Sequence, residues 1–229
     1  MPRVSRLLSL ADQNLLVLPS LLLCDFGNLE REIARLKTAG VQALHLDVMD
    51  GNFVPNLTYG LPIVSALRRL TDMPLDTHLM ICRPERYVQA FVDAGADMVT
   101  VHAEATDKPQ AVLEQIRDLG ASAGLAFNPS TSLDVLKSCA KSCDLVLVMS
   151  VEAGFGGQAF DPSAVGRIRE VRSIVGDKVV IEVDGGINED TIDVCASAGA
   201  QWFVAGSAIF KQSDYGQALH GLTRLVTQH

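Results

Sequence analysis

The chain has 229 residues, 48% hydrophobic and 20% charged, with 19 Lys and Arg against 27 Asp and Glu for a net charge of −8. That length buries a large core, and the composition is ordinary for a soluble globular protein. The acidic balance argues against nucleic acid or an anionic membrane surface as the main partner, but leaves room for an anionic substrate held by backbone amides.

Residues 1–14 read as an N-terminal extension carrying a short surface helix, because Asp12, Gln13 and Asn14 interrupt its leucines and argue against a signal peptide. No run of 18 or more apolar residues follows, so no membrane partner is expected. Apolar, β-rich runs at 15–22, 43–49, 75–81, 98–104, 122–128, 145–151, 179–185 and 202–208 predict eight strands. Amphipathic stretches at 28–40, 61–70, 84–96, 109–120, 132–142, 162–176, 189–200 and 215–228 predict eight helices. A weak repeat, "TAGVQALHL", "DAGADMVTV", "DLGASAGLA" and "SAGAQWFVA", passes each time from a helix end through Gly into a strand. Near-continuous apolar strands predict burial on both faces, as in a parallel sheet. No Pro/Gly/Ser-rich linker divides the chain. The expectation is an α/β protein whose residues 1–229 form a single (β/α)8 TIM barrel of eight parallel strands, with an open doubly wound sheet as the alternative.

Cys24, Cys82, Cys139, Cys143 and Cys195 make an odd count without a C-x-x-C pair. Cys139 and Cys143, four apart in a predicted helix, could suit a metal. The favoured reading is small buried hydrophobes in a reducing compartment, which makes a cytoplasmic location the default.

The stretch "ALHLDVMDGNFVPN", residues 43–56, breaks the apolar rule. Alternation along a strand puts His45, Asp47 and Met49 on one face, where an imidazole and a carboxylate are costly unless something pairs with them. A barrel carries its chemistry at the C-terminal ends of its strands. His45 and Asp47 on the second strand, His78 on the third and Asp184 on the seventh fall there. Two imidazoles and two carboxylates suit one divalent ion, zinc, ferrous iron, manganese or cobalt, without choosing among them; zinc is taken as the first expectation. His102 and Glu104, in "VTVHAEA", share a face near another strand end. They stay outside the ligand set, as supporting hydrogen-bond partners or substrate contacts.

Glycine-rich loops follow the last three strands: "EAGFGGQAF", "DGGIN" and "AGSAIF". Small residues let backbone N–H groups approach an anion, and barrels often hold phosphate in the loops after strands seven and eight. Metal and phosphate together define a small sugar phosphate with adjacent carbonyl and hydroxyl oxygens. An enediolate would form as the hydroxyl-bearing carbon next to the carbonyl loses its proton. Asp47 and Asp184, from different strands, could remove a proton from one face and return one to the other.

Taken in order, "LPSLLLCDF", "HLDVMDGNFVPN", "DTHLM", "GLAFNPST", "VLVMSVEAGFGGQAF", "VDGGIN" and "AGSAIF" resemble the ribulose-phosphate 3-epimerase family over nearly the whole chain. The resemblance implies a (β/α)8 barrel that interconverts D-ribulose 5-phosphate and D-xylulose 5-phosphate with a divalent metal. It implies metal ligands at His45, Asp47, His78 and Asp184 and an acid/base pair at Asp47 and Asp184. It places substrate or phosphate contacts at Ser20, His78, Gly154, Phe155, Gly156, Gly157, Gly185, Gly186, Gly206 and Ser207, and site-lining methionines at Met49, Met80 and Met149. It also implies a homo-oligomer and a place in pentose phosphate metabolism. One departure stands out: Ala153 lies where family members commonly have proline, which frees the local backbone. The alternatives are an epimerase of a related ketose phosphate such as allulose 6-phosphate, a metal-free phosphate-binding barrel, and a protein that binds sugar phosphate without turnover.

Overall fold

The structure is a computed structural model that describes Leu10 and residues 15–226. The predicted surface helix in residues 1–14 lies, Leu10 apart, outside the described residues. Eight strands form one parallel sheet: β1 (Leu16–Pro19), β2 (Leu44–Met49), β3 (Leu75–Met80), β4 (Met98–His102), β5 (Ser122–Phe127), β6 (Leu145–Met149), β7 (Val180–Asp184) and β8 (Trp202–Ala205). Their order is β1-β8-β7-β6-β5-β4-β3-β2, and a parallel bridge between Ser20 and His45 joins the two ends into a barrel. The helices are α1 (Leu29–Thr38), α2 (Leu61–Leu70), α3 (Val88–Ala94), α4 (Pro109–Asp118), α5 (Asp134–Cys139), α6 (Ser163–Val175), α7 (Ile192–Ser197), α8 (Ser207–Phe210) and α9 (Tyr215–Val226). Among the described residues no helix is long and apolar enough to cross a membrane.

The strand alternation separates two cores. On β2, Leu44, Leu46 and Val48 pack outward into the layer shared with the helices. Inside the barrel, Leu16, Leu18, Met98, Leu145, Leu147, Val180 and Trp202 form a second apolar cluster. The repeat is visible in the backbone. Gly40, Gly95, Gly120 and Gly199, one from each repeated segment, have φ of 87°, 118°, 83° and 108°, the left-handed conformation that turns a helix end toward its strand.

Most predicted elements lose a residue or more at their ends; the predicted strand over 202–208 stops at Ala205 and gives way to helix at Ser207–Phe210, and that over 98–104 stops at His102 and leaves Glu104 in a 3₁₀ turn at Ala103–Ala105. Three further elements are cut short or divided for visible local reasons. The first strand stops at Pro19 rather than running to residue 22, because the Ser20 hydroxyl accepts from the Leu22 N–H at 3.3 Å and starts a 3₁₀ turn at Leu21–Leu23. Over 84–96 a 3₁₀ turn at Pro84–Arg86, entered through Arg83 at φ 55°, precedes α3. Over 132–142 the helix tightens after Cys139 into a 3₁₀ turn at Ala140–Ser142, and the Cys143 thiol donates to the Cys139 carbonyl at 3.4 Å. All five cysteines are free; four are buried, but Cys82 is exposed in the turn after β3, contrary to the expectation of burial.

Candidate active site

The site grows from the β2–β3 register, which sets His45 beside Asp76, Asp47 beside His78 and Met49 beside Met80. Since β1 ends at Pro19, the rim of β2 lacks a full ladder partner there. Residues just past β2 supply it. The Asp47 N–H donates to the Tyr59 hydroxyl at 2.9 Å, the Met49 N–H donates to Thr58 Oγ1 at 3.0 Å, and Thr58 Oγ1 donates to the Asp47 carbonyl at 2.7 Å. These bonds lock the backbone that carries the central carboxylate.

Asp47 is the hub. Its Oδ2 accepts from the Ser20 hydroxyl at 2.5 Å, and its Oδ1 lies 3.4 Å from His45 Nε2 and 3.3 Å from His78 Nδ1. On the far side of His45, Nδ1 lies 2.6 Å from Asp76 Oδ2, so its proton goes to that carboxylate. His45 Nε2 has no hydrogen-bond partner among the described residues. Donor atoms of His45, Asp47, His78 and Asp184 all lie within 4.8 Å of one another. An ion at about 2.0–2.2 Å from its ligands holds them within roughly 4.4 Å of each other, so a small closure suffices. An orphaned imidazole nitrogen, a second imidazole and two carboxylates fit a divalent ion. The Asp76 carboxylate is the outer partner that orients such a ligand.

The two candidate acid/base groups are driven apart. Burial favours the neutral form of Asp47, but the neighbouring His45 and His78 overcome it and hold the carboxyl well below the usual range. Burial, reinforced by the neighbouring Asp47 charge, pushes Asp184 up to about 7. Burial lowers His78 to about 4, keeping it neutral, while His45 rises because Asp47 and Asp76 outweigh its desolvation. One carboxylate thus stays ionised as the other holds a proton near neutrality, the pattern that separates base from acid.

Above this floor a single cleft gathers the other predicted contacts. Ser20, Met49, Met80, Met149, Gly154, Phe155, Gly156, Gly157, Gly185, Gly186, Gly206 and Ser207 line it together with Asp47 and Asp184. His45 and His78 are fully buried and do not line it; they lie behind Asp47. Phe155 is 54% exposed. Gly186 is required where it stands: at φ 63° a Cβ would come within 2.3 Å of the Phe160 backbone nitrogen, so only glycine lets the loops after β6 and β7 meet.

The family model described as "Ribulose-phosphate 3 epimerase family" matches residues 16–210. The chain belongs to that family. A ribulose-phosphate 3-epimerase of Mycobacterium bovis is 48% identical over 212 residues, covering 91% of this chain and 92% of the relative. One from Bacillus subtilis is 45% identical, covering 89% and 95%. A chloroplastic ribulose-5-phosphate-3-epimerase of Arabidopsis thaliana is 44% identical, covering 95% and 79%. Among solved structures, 3-keto-L-gulonate-6-phosphate decarboxylase of Vibrio cholerae superposes with a TM-score of 0.71 at 17% identity, covering 94% of this chain and 98% of that one, a likeness of fold.

Ala153, where the resemblance implies proline, acquires a role: its N–H donates to Asn128 Oδ1 at 3.0 Å, a bond proline could not make. The Asn56 side-chain amide donates to the next carbonyl, that of Gly154, at 2.7 Å. The loop that loses a fixed φ is therefore tied at two consecutive residues.

The sequence reading passed over Asp76 and Glu182. Each stands two residues before a predicted ligand, His78 or Asp184, and so faces the same interior; that spacing was the available signal. Both Glu182 oxygens lack a hydrogen bond, Oε1 lies 3.6 Å from His45 Nδ1, and burial followed by the Asp76 charge raises Glu182 to about 8. A carboxyl raised in the folded state binds its proton more tightly than in the unfolded chain, so its contribution to stability is lost as pH rises through the folded value. Without metal, Glu182→Gln should therefore gain Tm over the wild type, by a margin that widens between about pH 5 and pH 8. Thermal melts of both proteins across that range check this; a constant margin contradicts it.

Proposed function

We propose that this family member inverts C3 of D-ribulose 5-phosphate to give D-xylulose 5-phosphate by a two-base mechanism. The observation that carries the reading is the pair Asp47 and Asp184, set on β2 and β7 with donor atoms in one cluster and opposite protonation tendencies. In the forward direction the ionised Asp47 removes the C3 proton on one face. Asp184 delivers its proton to the other face, and the reverse reaction exchanges their roles. The Ser20 hydroxyl holds Asp47 Oδ2, leaving Oδ1 turned to the histidines. When bound by His45, Asp47, His78 and Asp184, a divalent ion, zinc first, supplies Lewis-acid polarisation of the carbonyl next to C3. Met49, Met80 and Met149 give the cleft an apolar side, and the loops containing Gly154–Gly157, Gly185–Gly186 and Gly206–Ser207 offer backbone N–H groups for the phosphate.

The relatives' names support the pentose substrate over a six-carbon one. The reading extends to a cytoplasmic homo-oligomer serving the pentose phosphate pathway, and free cysteines agree with a reducing compartment. Comparing kcat/KM for D-ribulose 5-phosphate and allulose 6-phosphate tests it. A clear preference for the pentose supports the assignment, and a preference for the hexose overturns it.

A further inference from the structure

Behind His78, away from the cleft, runs a line of contacts that the mechanism above does not use. His78 Nε2 lies 2.8 Å from His102 Nε2, with the two ring planes inclined by 23° and their centroids 4.9 Å apart. The rings thus meet nitrogen to nitrogen at the distance of a hydrogen bond. His102 Nδ1 lies 3.2 Å from Glu104 Oε2. The other oxygen of Glu104 accepts from the Asn128 N–H at 2.8 Å and from the Thr131 hydroxyl. Both imidazoles are fully buried, and the Phe53 ring packs 4.8 Å from that of His102.

Valence gives this line a direction. A neutral imidazole has one N–H and one lone pair. If His78 is to offer Nδ1 to a cation beside Asp47, its proton must be on Nε2 and must be donated to His102. His102 must then accept at Nε2, so its own proton is on Nδ1, and an acceptor must face it there. Glu104 is that acceptor; burial works against its charge, but hydrogen bonds from His102 and Thr131 hold it at about 2. From the other end, the Asp47 carboxylate 3.3 Å from His78 Nδ1 attracts the proton to the wrong nitrogen.

We propose that Glu104 and His102 are positioning residues: Glu104, acting through His102, stabilises the one proton arrangement in which His78 can bind a divalent cation through Nδ1. This rests on the metal-dependent reading above. It also makes a specific use of Glu104→Gln. The Asn128 N–H and the Thr131 hydroxyl claim the amide oxygen, so the amide NH2 turns to His102 Nδ1. The line then reverses: His102 donates from Nε2, His78 accepts there, and the proton of His78 moves to Nδ1, where a cation needs a lone pair.

The test is Zn2+ affinity of full-length, chelator-stripped wild type and Glu104→Gln by competition with a chromophoric chelator, with ¹⁵N histidine spectra of the Zn2+-loaded proteins. The expected result is an affinity lower by about 10–100-fold in the variant, the usual effect of losing an outer partner of a ligand. Metal-free Tm should be close to that of wild type, and the His102 proton should be on Nδ1 in the loaded wild type. Equal affinity in the two proteins overturns the proposal and leaves the metal reading intact. So does a loaded wild-type spectrum with the His102 proton on Nε2, which needs no variant to fold. Wild type that binds no Zn2+ overturns the metal reading, and the proposal with it.

Discussion

Asp47→Asn is expected to lower kcat for D-ribulose 5-phosphate by about 10⁴-fold, the upper end of what a positioned base contributes, and to weaken divalent-cation binding in the same protein. Two losses combine at one atom pair. Oδ1 faces His45 Nε2 at 3.4 Å and His78 Nδ1 at 3.3 Å, and Oδ2 takes the Ser20 hydroxyl proton at 2.5 Å. Asparagine keeps the shape of these contacts and loses their chemistry. It carries no charge to face a cation, it has no basic oxygen for a C–H proton, and its NH2 meets either a hydroxyl or an imidazole. The negative charge that raises His45 also disappears, which lowers the tendency of that imidazole to be cationic. Steady-state kinetics with added Zn2+, together with chelator competition, measure both effects. A variant within tenfold of wild-type turnover would remove Asp47 from the chemistry.

Asp184→Asn is expected to cost about 10²–10⁴-fold in turnover while leaving the fold intact. Burial and the Asp47 charge already favour the uncharged form of Asp184, so a neutral isostere suits its surroundings. What is lost is the proton for the second face. The consequence is asymmetric: with Asp47 still present, one of the two epimers should continue to exchange its C3 hydrogen with solvent, and the other should not. Proton spectra of each sugar phosphate incubated with the variant in deuterium oxide and saturating Zn2+ read this directly. Exchange of both epimers at equal rates would assign both faces to one base.

The barrel was legible in the sequence because its two periodicities are local. Alternation gave the strand faces, and the four repeated glycines marked helix ends that the structure places at positive φ. The cluster of candidate ligands was legible because His45, Asp47 and His78 stand in runs of apolar residues, where a charge needs a partner. Other features depend on contacts between distant segments. Thr58 and Tyr59 fall between a predicted strand and a predicted helix, and nothing local says that they complete the β2 rim. Asp76 and Glu182 share the spacing of the ligands, yet only the register shows that they surround His45 rather than the cleft. The same holds for His102 and Glu104. Their alternation put them on one face, but only the 2.8 Å approach to His78 shows which group they serve.

The measurement that bears most directly on the proposed chemistry is conversion of D-ribulose 5-phosphate by the Zn2+-loaded wild type in deuterium oxide, stopped at low conversion. Two carboxylates on opposite faces predict D-xylulose 5-phosphate carrying solvent deuterium at C3, because the group that delivers the proton is not the one that removed it. Product that retains the substrate's own C3 hydrogen, or no product at all, would contradict it.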